Sequence, residues 1–422
     1  MTKKTVPFSK EQIDGLRKKE QTPFYIYEEN GIVENLKKLK NAFSWADFKE
    51  YFALKATPNP YILKLLKDYG AGADCSSLTE LVLAQKTGFE RENIIFTSNN
   101  TPASEFQKAK EMGAIINFDD ISHINFYEKN VGELPELVSF RYNPGNLKSG
   151  NAIIGNPINA KYGFTKKQLS EGYEYCKKAG VKRFGLHTMV ASNELDADYF
   201  VETAKILFEE VLEISKKIEI SFEFVDLGGG IGIPYSPEQK PVNLQKIGSE
   251  IKKLYEEIIM ANGLSPLKIF MECGRMITGP FGYLVSEVLH KKSTYKEFIG
   301  LDACMANLMR PAFYGAYHHI SVLGREDLPE KITVDVTGSL CENNDKFAID
   351  RNLPEIEIGD ILVIHDAGAH GHSMGFNYNG KLRSAEFLMR KNGNFLKIRR
   401  AETINDLFAT LDFENLGNFY VK

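Results

Sequence analysis

Between about residue 30 and residue 275, short apolar stretches alternate with longer ones in which apolar residues return every three or four positions. The short stretches are EYFAL, AGADC, NIIFTS, AIINFD, LVSFRY, RFGLHT, FEFVDL and KIFMEC. Each has the length and β-branched or aromatic content of a buried strand. The clearest of the longer stretches is DADYFVETAKILFEEVLEISKKI. Phe200, Ala204, Leu207, Val211 and Ile214 recur there at helical steps, with Lys and Glu on the other face. SSLTELVLAQKTG, TPASEFQKAKEMG and TKKQLSEGYEYCKKAG also read as helices, each ending in a glycine that suits a C-cap. Eight strand–helix alternations over this length are most simply a (β/α)8 barrel, with a doubly wound sheet as the competing arrangement.

After about residue 280 the texture changes. FGYLVSEVLHKK, KITVDVTGSL and IGDILVIHDAG alternate in the manner of strands, and long helical periods are mostly absent. The stretch PFYIYEE, before residue 30, reads as a strand with no place in the barrel pattern. It is expected to join the C-terminal β region. The predicted domains are therefore a barrel over 30–278 and a mainly β domain built from 1–29 and 279–422.

Composition narrows the function. The chain has 422 residues, 43% hydrophobic and 26% charged, which excludes a disordered protein. A net charge of -4 offers no polycation for nucleic acid or an acidic membrane. No apolar run approaches the ~20 residues of a membrane span. MTKKTVPFSKEQ lacks the apolar core of a secretory signal. The five cysteines are scattered, with no CxxC pair, which predicts a reducing, cytoplasmic setting.

In such a barrel the chemistry sits where strands end. Those positions carry Lys55, then Asp74 with Ser76 and Ser77, then His187 leading to Ser192, then Gly228, Gly229 and Gly230, and finally Glu272, Gly274 and Arg275. Each has an ordinary reading: a solvated lysine, a tight glycine turn, a surface ion pair. Taken together they suit a phosphate held by glycine N–H groups and an arginine. They also suit an aldehyde held by a lysine and a ring nitrogen held by a carboxylate. That combination describes pyridoxal phosphate. The β region adds Arg310, Tyr314, Cys341, Glu342, His370, Tyr378 and Asn379. His365, His370 and His372 match no common zinc spacing, so no metal is expected.

The chain resembles the alanine-racemase-fold pyridoxal-phosphate decarboxylases, and among them the diaminopimelate decarboxylases. YFALKATPNP is similar to the cofactor-lysine motif, KYGF at 161–164 to a short family motif, and FVDLGGGIGIPY to the phosphate loop. ECGR is similar to the family's Glu-Pro-Gly-Arg, LDACMANLMRPAFYGAYHHI to its substrate-binding segment, and CENND to its Cys-Glu-Ser motif. The resemblance implies that Lys55 is the Schiff-base residue and that Glu272 lies on the pyridine nitrogen. Ser192, Gly228, Gly229, Gly230, Gly274, Arg275 and Tyr378 hold the cofactor. Arg275, Arg310, Tyr314, Glu342 and Tyr378 bind substrate. Cys341 protonates the product from the neighbouring subunit of a homodimer with shared sites.

The implied reaction is conversion of meso-2,6-diaminopimelate to L-lysine and carbon dioxide. The departures are Met189 where the family has a ring-stacking histidine, Cys273 for its proline and Asn193 for its glutamine. A thioether can still pack on an aromatic ring. Three alternatives stand beside this one: a decarboxylase of carboxynorspermidine or ornithine, a racemase, and a non-catalytic cofactor-binding homeostasis protein. Arg310 weighs against ornithine, Glu272 against a racemase, and the Cys341–Glu342 pair against the third.

Overall fold

The structure is a computed structural model that describes residues 4–149 and 155–416. It divides into two compact units, Asn30–Pro280 and a second built from the residues up to Glu29 together with those from Phe281 onward. The strands, in chain order, begin with β1 (Phe24–Glu28) in the second unit. The first unit holds β2 (Phe48–Ala53), β3 (Gly72–Cys75), β4 (Ile94–Thr97), β5 (Ile115–Phe118), β6 (Leu137–Tyr142), β7 (Arg183–Thr188), β8 (Phe222–Asp226) and β9 (Lys268–Met271). All eight predicted barrel strands are present. They pair in parallel and in sequence, and β2 closes on β9 with Phe48 opposite Ile269 and Glu50 opposite Met271. The architecture comprises a closed barrel and a separate, mainly β unit, the alanine-racemase-like fold.

Parallel strands covered by helices are buried on both faces, which is why they read as continuous apolar runs rather than alternating ones. Inside the lower barrel Tyr51, Ile95, Ile115, Leu137, Phe224 and Phe270 form one buried layer. Phe224 and Phe270 stack there at 4.5 Å. Gly185 makes room for this layer, because a Cβ at that position would lie 2.1 Å from the Phe224 ring. Outside, the helix Ala197–Ile218 buries Phe200, Ala204, Leu207, Val211 and Ile214, the stripe read from the sequence. Asp196 caps its start by accepting a hydrogen bond from the Asp198 N–H at 3.0 Å. Among the described residues no helix is long and apolar enough to cross a membrane.

The second unit is built on a nine-stranded sheet. Its later strands are β10 (Gly282–Ser293), β11 (Glu297–Leu301), β12 (Ile320–Val322), β13 (Ile332–Thr337), β14 (Lys346–Leu353), β15 (Ile361–Ile364), β16 (Ala385–Met389) and β17 (Phe395–Arg399). β1 lies between β10 and β16, antiparallel to the first and parallel to the second. The N-terminal strand thus joins the β unit, as its orphan status in the barrel pattern predicted. Phe24 and Ile26 enter an apolar core with Tyr283, Val285, Val363 and Phe387. The alternate residues Tyr25 and Tyr27 donate to Asn307 O and Glu386 Oε1, each at 2.6 Å. Period-two alternation therefore sorts one strand into an apolar face and a hydrogen-bonded face. A short helix, Lys10–Arg17, precedes this strand. Ser9 and Gln12 close it with a capping box.

Candidate active site

Each polar residue at the barrel mouth is placed by the strand or turn that ends there. Lys55 sits on a single 3-10 turn, Leu54–Ala56, directly after β2. Its side chain is half exposed, and its Nζ lies 3.7 Å from Asp74 Oδ2 at the end of β3. Ser77 caps the helix Leu78–Lys86, and the Ser76 N–H donates to Glu80 Oε2 at 2.6 Å. These two serines start a helix. On β7, His187 Nε2 stands 3.1 Å from Glu272 Oε2, with both side chains buried.

The glycine turn after β8 is set by close backbone packing. A Cβ at Gly228 would lie 2.2 Å from Thr188 O, and one at Gly229 would lie 2.2 Å from Glu272 O. Gly228 also has φ +69°, a left-handed conformation. Its N–H donates to Asp226 Oδ1 at 2.8 Å, and its carbonyl accepts from the Glu272 N–H at 2.9 Å. One residue therefore bonds to the Asp226 side chain and to the Glu272 backbone. The Gly229 N–H donates to Met189 Sδ at 3.3 Å. Asn193 braces the same loop by accepting from the Ile233 N–H at 3.0 Å. Arg275 is buried next to it, donating to Tyr235 Oη at 2.7 Å and reaching Ser192 Oγ at 3.4 Å. Gly274 lets the ECGR turn approach the lysine turn, because a Cβ there would be 2.6 Å from Ala56 Cβ.

The electrostatics centre on four buried carboxyls: Glu50, Asp74, Asp226 and Glu272. Burial pushes Asp74 and Asp226 well above the usual carboxylate range, and the neighbouring Glu272 adds to the rise. Burial also pushes Glu50 far up, although its Oε1 accepts from the Cys273 N–H at 2.6 Å. Burial opposes charge on Glu272 too, but His187, Lys55 and Arg141 hold that carboxyl below its ordinary value. Burial lowers His187 against the opposing pull of Glu272, and Nε2 is the ring nitrogen that faces that carboxylate. Lys55 is raised: burial works against its charge, and Asp74 and Glu272 outweigh burial.

These residues fit pyridoxal phosphate. Glu272 Oε1 is a buried oxygen with no hydrogen-bond partner, as a carboxylate waiting for a ring N–H would be. Lys55 offers an amine, and Ser192, Tyr235 and Arg275 next to the glycine loop offer donors for a phosphate.

The sequence reading passed over Asp226, inside FVDL, and Arg141, inside LVSFRY. Arg141 pairs with Asp119 at 3.3 Å, and its guanidinium stands 3.8 Å from the centre of the Tyr162 ring of the KYGF motif. A charged residue within an apolar strand was the available signal, since such groups are buried only with partners. Glu50 and Tyr235 carried no comparable mark.

The second unit brings its own set together. Arg310 is buried and opens the short helix Arg310–Tyr314, while Phe313 and Tyr314 are exposed with rings 4.8 Å apart. Cys341 is exposed, unlike the other four cysteines, and all five are free. Its N–H donates to Asn379 Oδ1 at 2.8 Å, which ties it to the turn that begins with exposed Tyr378. Asp345 accepts from the N–H groups of Leu340 and Met305 at 2.8 and 2.6 Å, pinning the Cys341 loop to the segment before Arg310. Glu342 Oε1 accepts from the Asn344 N–H at 3.1 Å. His365 Nε2 pairs with Ser321 Oγ at 2.8 Å and His372 Nε2 with Ser384 O at 3.0 Å, so both rings have structural partners. His370 adopts a positive φ of 55°.

The fold and this arrangement of lysine, glycine loop and ring-facing carboxylate define a pyridoxal-phosphate enzyme of the barrel type. Residues 29–279 match the family described as pyridoxal-dependent decarboxylase, pyridoxal binding domain. The chain belongs to the pyridoxal-dependent decarboxylases, of the branch that contains the diaminopimelate decarboxylases. The protein TabA of Pseudomonas amygdali pv. tabaci is 42% identical, over 96% of this chain and 95% of its own. The diaminopimelate decarboxylase of Methanothermobacter thermautotrophicus is 36% identical, over 92% of this chain and 90% of its own. The crystal structure of diaminopimelate decarboxylase from M. jannaschii in co-complex with L-lysine superposes with a TM-score of 0.85, at 31% identity and 94% coverage of both chains. The protein is a carboxy-lyase that uses pyridoxal phosphate and acts on an amino acid.

The lysine assignment has a direct check. Borohydride reduction of the cofactor-loaded protein should abolish its visible absorption and leave the label on Lys55 in a tryptic map. A label on any other lysine would overturn it.

Proposed function

We propose that the amino acid is meso-2,6-diaminopimelate and that the products are L-lysine and carbon dioxide. The observation that carries this reading is Arg310. It is a buried guanidinium at the head of a short helix, in a segment similar to the substrate-binding segment of the diaminopimelate decarboxylases. A buried guanidinium in such a segment suits a substrate with a second carboxylate, which can accept a charge-assisted, bidentate contact from it. The names of the Methanothermobacter and jannaschii relatives support the same reading.

In the proposed reaction Lys55 would hold the cofactor through its Nζ amine. Pyridoxal phosphate supplies the electron sink that takes up the pair released when the bond from the α-carbon to its carboxylate breaks. Glu272, held ionised, keeps a proton on the ring nitrogen. Gly228, Gly229, Gly230, Ser192, Gly274 and Arg275 orient the phosphate end, and Tyr378 contributes to the same binding. Arg310 and Tyr314 hold the distal carboxylate, and Arg275, Glu342 and Tyr378 complete the recognition of substrate. Cys341 returns a proton to the α-carbon where the carboxylate left. Its thiol is exposed on the single chain, which suits a group that works in the site of a second copy, and we propose a homodimer with shared sites.

Incubation with meso-diaminopimelate should yield lysine and carbon dioxide in equal amounts, with ornithine and carboxynorspermidine turned over far more slowly. Arg310→Ala should keep the cofactor absorbance and lose about 2–5 kcal/mol of transition-state stabilisation, roughly 30- to several-thousand-fold in kcat/KM. Lysine at this position should not restore the loss, because it lacks the bidentate fork. Unchanged turnover in Arg310→Ala, or preference for a monocarboxylic substrate, would contradict the assignment.

The shared-site dimer has a separate test. Inactive Lys55→Ala and Cys341→Ala proteins, mixed under conditions of proven subunit exchange, should regain part of the activity. No recovery would rule the arrangement out.

A further inference from the structure

Asp226 is the last residue of β8 and is fully buried. No part of the reaction outlined above uses it. Its Oδ1 is taken by the Gly228 N–H at 2.8 Å, while its Oδ2 is buried without a hydrogen-bond partner. Glu272 has the same form: Oε2 faces His187 Nε2 at 3.1 Å, and Oε1 is buried without a partner. Ligand-type atoms of His187, Asp226 and Glu272 all lie within 4.8 Å of one another. Two buried carboxylates this close cannot both be charged at low cost. Each is also left with an unsatisfied oxygen, which native interiors rarely tolerate. One proton placed between them removes both penalties. The backbone decides which acid carries it. Asp226 already accepts at Oδ1, so its free oxygen is the one that can bear hydrogen, and Glu272 has the donor His187 and the nearby cations that favour an anion.

We propose that Asp226 sits in the site as the neutral acid and donates a hydrogen bond to Glu272, acting as a positioning residue for the carboxylate that faces the cofactor ring. Glu272 is then an anion fixed by two donors, His187 Nε2–H on one side and the Asp226 hydroxyl on the other. Its orientation and its charge no longer depend on the cofactor being present. Burial and the neighbouring Glu272 both favour the protonated form of Asp226. The groups that face this pair are Glu50, Tyr51 and Lys55 from the β2 side, Asp74 from β3, Arg141 from β6, His187 from β7 and Cys273 after β9. Lys55 and Arg141 act to keep Glu272 charged. Glu50 and Asp74 are themselves pushed toward the neutral form. The inference rests on the cofactor and is independent of which amino acid is decarboxylated.

An asparagine at 226 is the isostere of the proposed state. Its Oδ1 can accept from Gly228 and its Nδ2 can donate to Glu272, with no proton to lose. Cofactor affinity should be measured by reconstituting the wild-type, Asp226→Asn and Asp226→Ala proteins with pyridoxal phosphate. The expected result is an Asp226→Asn protein that binds within about threefold of wild type with the same absorption spectrum. Asp226→Ala should bind about ten- to a hundredfold more weakly, the usual effect of losing a hydrogen bond to a charged group.

Infrared difference spectra of the two loaded proteins, wild type minus Asp226→Asn, should show the carbonyl stretch of one protonated carboxylic acid. That readout does not depend on the alanine variant folding. Equal loss of affinity in the asparagine and alanine variants would overturn the proposal. So would the absence of the carboxylic-acid band, which would leave the proton on Glu272 or place none on the pair.

Discussion

The 3.1 Å contact between His187 and Glu272 crosses from the end of β7 to the end of β9 and holds a buried carboxylate. Burying a carboxylate is costly, and the cost is met only where donors and cations surround it. Here the His187 imidazole faces the carboxylate at Nε2, and Lys55 and Arg141 supply further favourable charge. The other acids at the same end of the barrel, Glu50, Asp74 and Asp226, are driven toward the neutral form. Glu272 alone among these four carboxyls is held below its ordinary value. A site can be organised by pushing neighbouring pKa values apart in this way.

The backbone beneath makes that selection possible. Gly228 donates to the Asp226 side chain and accepts from the Glu272 backbone N–H, so one left-handed residue ties the two strand ends together. The same glycines pack against Thr188 and Glu272 too closely for any Cβ. The loop assigned to the phosphate and the acid assigned to the ring are therefore one mechanical piece. Met189 belongs to it through its bond from the Gly229 N–H. This thioether accepts from the loop and offers a polarizable surface, without adding a charge to an already crowded set.

Much of this was legible in the residues. The eight strands were readable because two-faced burial makes them unbroken apolar runs. The long helix was readable because Phe200 to Ile214 keep a strict helical period. The place of β1 followed from its having no partner in the barrel. Lys55, Glu272 and Arg275 announced themselves by standing at strand ends. The helix Lys10–Arg17 was missed although its Ser9–Gln12 capping box is written in the sequence. A helix of eight residues carries too short a period to stand out. Asp226 was passed over because it borders the glycines that drew attention, and Arg141 because an apolar strand conceals a single charge. The hydrogen bond from Gly229 to Met189, and the reason Gly228 and Gly229 must be glycine, depend on backbones far apart in sequence. No local pattern could contain them.

The state of the cofactor ring tests this arrangement most directly. Magnetic resonance of pyridoxal phosphate carrying an isotope-labelled ring nitrogen, bound to the wild-type protein, should report a protonated nitrogen hydrogen-bonded to a carboxylate. Glu272→Gln should shift that nitrogen to the unprotonated form. An unprotonated nitrogen in the wild-type protein, or a signal that Glu272→Gln leaves unchanged, would contradict the placing of an ionised Glu272 at the centre of the site.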